Sequence, residues 1–139
     1  MTKIITKRKF DAAHRLYGYD GPCGSLHGHS WKVEVEMEAK KLQLPIETNN
    51  GIFVDFKDIK KIIDYFDHAT ILNVNDPLYG ILLKYETKLG YTTICPMSNN
   101  PTAENIAYAL LSELEKLEPN VTVTVRVWES DTSYAEVSR

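Results

Sequence analysis

The chain has four histidines, His14, His27, His29 and His68, and they carry most of its chemical signal. His27-Gly28-His29 is a His-x-His step. Residues two apart on a β-strand share a face, so both imidazoles can reach one metal ion. His14, near the end of a preceding strand-like stretch, supplies a third nitrogen if the two strands pair. Gly28 leaves room for a close backbone turn or a ligand. Three histidines with an open fourth position describe a catalytic zinc. Cys23, four residues before His27, would instead close the shell of a structural Cys-His₃ site. Taken singly, each histidine reads better as an ordinary core or hydrogen-bonded residue.

Other side chains add to this group. Cys23 lies in Gly21-Pro22-Cys23-Gly24-Ser25-Leu26-His27, a turn-rich segment that is a poor place to bury a small apolar residue. Beside a cation, a thiol ionises readily and serves as nucleophile or base. Cys95 reads as a small buried residue. Asp67-His68 follows a helix-like stretch, where helix carbonyls favour an imidazolium; the pair is either an acid–base device or a helix exit. Glu129 continues the parity of Val121, Val123, Val125 and Val127. A carboxylate on a core-facing strand must be paired, and a guanidine-like heterocycle would satisfy both its oxygens. The alternative is a bulge at Trp128 that turns Glu129 to solvent. Thr102 and Glu104 are ordinary first-turn helix residues or ligand contacts at a helix N-terminus.

These residues need elements to hold them. Trp31, Val33, Val35, Met37 and Ala39 alternate with charged residues out to Lys40, which predicts a strand with one buried face. His27 and His29 share the parity of Trp31. Lys3–Ala13 is a looser strand, Gly51–Val54 a short third one, and Val121–Val127 the clearest. Phe56, Ile59, Ile62, Ile63 and Phe66 repeat at helical spacing. A second helix begins near Pro101 with Asn100 as N-cap, and its apolar stripe runs from Ile106 to Leu117. Between Leu72 and Asn100, turn residues are frequent; Ile81–Tyr85 and Tyr91–Cys95 are expected to form a small hairpin. The order β-β-β-α-α-β predicts an α+β domain, with an antiparallel four-stranded sheet and two helices packed on one face.

The 139 residues suit one domain with a real core. Hydrophobic residues are 43% and charged residues 25%, which excludes disordered and fibrous classes. The net charge of −3 gives no basic excess for nucleic acid. No export signal or membrane span is evident, and the two cysteines fit reduced thiols in the cytoplasm.

Six segments occur in a fixed order: Phe10-Asp11-Ala12-Ala13-His14-Arg15-Leu16, Cys23-Gly24-Ser25-Leu26-His27-Gly28-His29, Gly51-Ile52-Phe53-Val54-Asp55-Phe56, Asp67-His68 with Leu72-Asn73, Pro101-Thr102-Ala103-Glu104-Asn105, and Val127-Trp128-Glu129-Ser130. Together they resemble the 6-pyruvoyltetrahydropterin synthase family, including its bacterial 6-carboxytetrahydropterin synthase branch of queuosine biosynthesis. The three residues between Cys23 and His27 resemble that branch. The resemblance implies a tunnelling-fold unit and a homohexamer with active sites where subunits meet. It implies one zinc ion per subunit on His14, His27 and His29. Cys23, Asp67 and His68 would be catalytic, and Glu129, Thr102 and Glu104 would bind the pterin of dihydroneopterin triphosphate. The implied reaction releases triphosphate and acetaldehyde and leaves 6-carboxytetrahydropterin. A pyruvoyl-forming enzyme and a non-catalytic pterin binder are the alternatives. Residues at about 74–99 look like an insertion into a single domain spanning 1–139.

Overall fold

The computed structural model describes residues 1–39 and 41–139; Lys40, the last position of the predicted alternation, lies outside the described residues. The elements, in chain order, are β1 (Thr2–His14), β2 (His27–Ala39), α1 (Phe56–Asp64), β3 (Thr70–Asn73), α2 (Pro77–Leu89), β4 (Ile94–Met97), α3 (Ala103–Leu114), β5 (Val121–Ser130) and β6 (Ser133–Ser138). They form an α+β fold whose single sheet has the order β4-β3-β1-β2-β5-β6. The long strands are antiparallel, but β1 pairs with β3 in parallel, and β3 with β4 in parallel. Among the described residues the sheet is therefore mixed and six-stranded rather than antiparallel and four-stranded, and three α-helices accompany it.

The departures have local causes. Ile81–Tyr85 is helical, not a hairpin strand, because it lies inside α2. Asp76 caps that helix by accepting from Leu78 N–H at 2.8 Å, Pro77 opens it, and Gly90 closes it at φ 81°. Proline first and glycine last is the asymmetry of a helix. Of the predicted Tyr91–Cys95 strand, Ile94 and Cys95 belong to β4. Gly51–Val54 is not a strand: Asn49, Asn50 and Gly51 have φ of 50°, 55° and 82°, and a left-handed run cannot continue a pleat. Asn100 does not cap α3; the Thr102 hydroxyl does, accepting from Asn105 N–H at 3.2 Å.

The helix-facing side of the sheet is apolar. Phe10, Trp31, Val33, Val35, Met37, Val123, Val125 and Val127 are buried against Ile59 and Ile63 of α1 and Ile106, Leu110, Leu111 and Leu114 of α3. The charged residues that alternate with these valines pair with one another: Arg126 donates to Glu34 and Glu136, and Lys3 and Lys7 approach Glu36 and Glu34. β1 and β2 pair along their whole length, which sets Phe10 opposite Trp31 and His14 opposite His27. No described helix is long and apolar enough to cross a membrane.

Candidate functional site

The end of the β1–β2 ladder builds the histidine cluster. His14 closes β1, while His27 and His29 open β2 on one face, so the three rings pack edge to face against one another, and those of His14 and His29 also meet the indole of Trp31. One ligand nitrogen from each lies within 4.8 Å of the others, so the three histidines could hold a metal ion. Their hydrogen bonds fix which nitrogen faces inward. His14 Nδ1–H donates to the Pro101 carbonyl at 2.7 Å, and His27 Nδ1–H donates to the Ser25 carbonyl at 2.7 Å. In a neutral imidazole the other nitrogen is then bare.

Two bare Nε2 atoms face each other at 3.1 Å, close to the separation of about 3.3 Å between neighbouring nitrogens of a tetrahedral zinc site. The third, His29 Nε2, is buried without a hydrogen-bond partner. A buried polar atom left unsatisfied is costly, and a cation at the centre of the cluster would satisfy it. Protonation is also opposed. Burial pushes the His14 imidazole down to about 4, against a smaller rise from its bond to Pro101. Burial likewise lowers His29, with the nearby Glu129 carboxylate acting in the other direction. Neutral, convergent nitrogens are the chemistry of a metal donor set.

Beside the cluster, Thr102, Glu104, Glu129 and Tyr134 line a cavity of about 270 Å³ with Leu16 at one wall. The predicted bulge exists, with the β5–β6 register shifting between Trp128 and Ser130, yet Glu129 stays half-buried in this cavity rather than turning out. The sheet and the start of α3 therefore bring together the three residues singled out for ligand contact.

Asp67 and His68 follow α1. The Asp67 carboxylate accepts from Asp11 N–H at 3.0 Å, and its other oxygen is 3.7 Å from His68 Nε2. His68 adopts φ 60°, and its N–H donates to the Asp11 carbonyl at 2.7 Å. Its side chain is 81% exposed at the rim of an open cleft shared with His29, Asp11 and Ser30. Cys23 is exposed on a short 3₁₀ turn, Pro22–Gly24, and lines neither cleft. It stands outside the histidine group. Cys95 is buried in the core, and burial raises its thiol.

Sequence reasoning missed Arg15. Its guanidinium makes a two-pronged ion pair with the buried Asp76, the cap of α2. This fastens the segment after His14 to the segment after β3. An Arg next to His14 was visible in the sequence, but its partner lies 61 positions away.

Comparison with known proteins places these features in context. The family model described as 6-pyruvoyl tetrahydropterin synthase matches residues 3–139. The chain is 32% identical over 141 residues to the 6-carboxy-5,6,7,8-tetrahydropterin synthase of Haemophilus influenzae, covering 98% of each chain. It is 34% identical over 148 residues to the protein of that name from Rickettsia typhi, covering 99% of this chain and all (100%) of the other. Among solved structures, an uncharacterized protein from Wolinella succinogenes superposes with a TM-score of 0.75 at 24% identity, covering 98% and 97% of the two chains. The 6-pyruvoyl tetrahydropterin synthase of Plasmodium vivax superposes with a TM-score of 0.65 at 18% identity, covering 99% and 97%.

Proposed function

The chain belongs to the 6-pyruvoyl tetrahydropterin synthase family, and from that premise we propose that it is a zinc-dependent 6-carboxytetrahydropterin synthase. In this reading it converts 7,8-dihydroneopterin triphosphate and water to 6-carboxy-5,6,7,8-tetrahydropterin, acetaldehyde and triphosphate. The observation that carries the reading is the convergence of three histidine nitrogens next to the half-buried Glu129 cavity. Full-length likeness to proteins named for that activity supports it.

His14, His27 and His29 would hold the zinc ion, which when bound supplies Lewis acidity toward the substrate's side-chain hydroxyls. The chain's own groups do the rest. Glu129 accepts the adjacent N–H donors of the pterin and orients the ring, with Thr102 and Glu104 in the same cavity. Cys23, as thiolate, takes a proton from the substrate side chain. His68 exchanges that proton, and the neighbouring Asp67 carboxylate stabilises the imidazolium so formed.

Cys23 and His68 are both exposed and do not share a cleft within one chain. That separation supports a homohexamer in which the site is completed between subunits. The unpaired thiols support a cytoplasmic location. Residues 74–99, holding α2 and β4, are read as an insertion into one domain and as a candidate influence on product choice.

The test is incubation of zinc-loaded protein with 7,8-dihydroneopterin triphosphate, with products identified by mass spectrometry. Acetaldehyde with a carboxylated tetrahydropterin is the expected result. A pyruvoyl product would move the chain to the sister activity. Binding without turnover would leave a pterin-binding protein.

A further inference from the structure

One side-chain amide ties the Cys23 turn to the histidine cluster. Asn100 lies between β4 and α3. Its Oδ1 accepts from the Tyr17 backbone N–H and from Asn73 Nδ2, both at 3.1 Å. Its Nδ2 donates to the Tyr17 carbonyl at 2.9 Å. Its own carbonyl accepts from Asn105 Nδ2 at 2.8 Å and from Thr102 N–H at 2.9 Å. The side chain thus pairs with Tyr17 as one strand pairs with another, while the backbone stays locked to the start of α3.

Each end of this bridge reaches the site within one residue. Pro101, directly after Asn100, presents the carbonyl that orients the His14 ring. Leu16, directly before Tyr17, donates its N–H to the carbonyl of Cys23 at 2.8 Å, and Tyr19 N–H returns to Leu16 at 3.2 Å. Tyr17 offers a donor and an acceptor side by side, and a carboxamide answers both with one planar group. The role is not that of a helix cap, since Thr102 already fills it.

We propose that Asn100 is a positioning residue: it fixes the Cys23 turn relative to His14, and so sets where the thiol meets the substrate. This rests on the function proposed above.

Asn100→Asp tests it by exchanging an NH₂ for an oxygen, which removes the donor to Tyr17 and sets two acceptors against each other. In the full-length, zinc-loaded variant kcat is expected to fall about 10- to 100-fold, the size of a small misplacement of a reacting group. KM is expected to stay within about twofold and bound zinc to stay at wild-type stoichiometry, because ground-state binding and the ligands are untouched. Amide hydrogen exchange, read apart from turnover, should accelerate across residues 16–24 and remain unchanged in α3. A folded variant with wild-type kcat overturns the proposal, whether or not exchange accelerates. If Asn100→Asp does not fold, Asn100→Ser, which adds no charge and is too short to reach Tyr17, is judged by the same readouts. A wild-type protein that turns over no pterin triphosphate defeats the underlying function instead, and the positioning role falls with it.

Discussion

At the cluster, backbone carbonyls of Pro101 and Ser25 fix two rings from outside, so that in the neutral imidazoles the inward nitrogens are the bare ones. His27→Ala is expected to lose bound metal and turnover together; stoichiometric metal by elemental analysis would refute the ligand assignment. His14 also couples stability to pH. Its folded value of about 4 lies below the unfolded value of 6.5, so between these the unfolded chain binds more protons. Stability of the metal-free protein is then complete above pH 6.5 and falls by up to about 3 kcal/mol as pH drops toward 4. Urea titrations at several pH values should show this slope, and a His14→Asn protein with the same slope would assign it elsewhere. His68 stores strain in its left-handed backbone at φ 60°. His68→Gly should gain about 1 kcal/mol of stability while losing turnover, a pairing that a purely structural histidine would not give.

Among the elements, α2 is attached chiefly through its cap. None of its residues is buried, whereas Asp76 just before it is buried and paired with Arg15. Arg15→Ala leaves that carboxylate unpaired and is expected to cost about 3 kcal/mol in chemical denaturation; a change below about 1 kcal/mol, the range of an exposed pair, would show that solvent replaces the guanidinium. The strands and helices that alternate cleanly, β1, β2, α1, α3 and β5, were legible because each has one wet and one dry face. β3 was not, since its middle residues Ile71 and Leu72 are both buried and no period shows. β4 and β6 are short edge strands. α2 was hidden by its weak amphipathicity, although Asp76-Pro77 and Gly90 marked its ends. The histidine cluster followed from strand parity. The Glu129 cavity did not, because it depends on α3 and β6 converging from distant parts of the chain, and Asn100 was mistaken for a cap because its true partner is a backbone 83 positions away.

For the molecule as a whole, the roles proposed for exposed Cys23 and exposed His68 would make assembly a matter of catalysis. Mixing Cys23→Ala with His68→Ala protein should restore part of the activity once subunits exchange, and no recovery after proven exchange would place both residues in one subunit's site. The paired ladder of β1 and β2 has one more consequence. His14 and His27 face each other directly across that ladder, so their spacing is set by the strands, and of the twelve residues joining them, 15–26, Ser25 contributes to the cluster through a backbone carbonyl that any side chain would leave in place. The joining loop is thereby released to vary in length and composition over evolutionary time. New nucleophiles or altered substrate preferences can be tried out there while the histidine cluster is inherited intact.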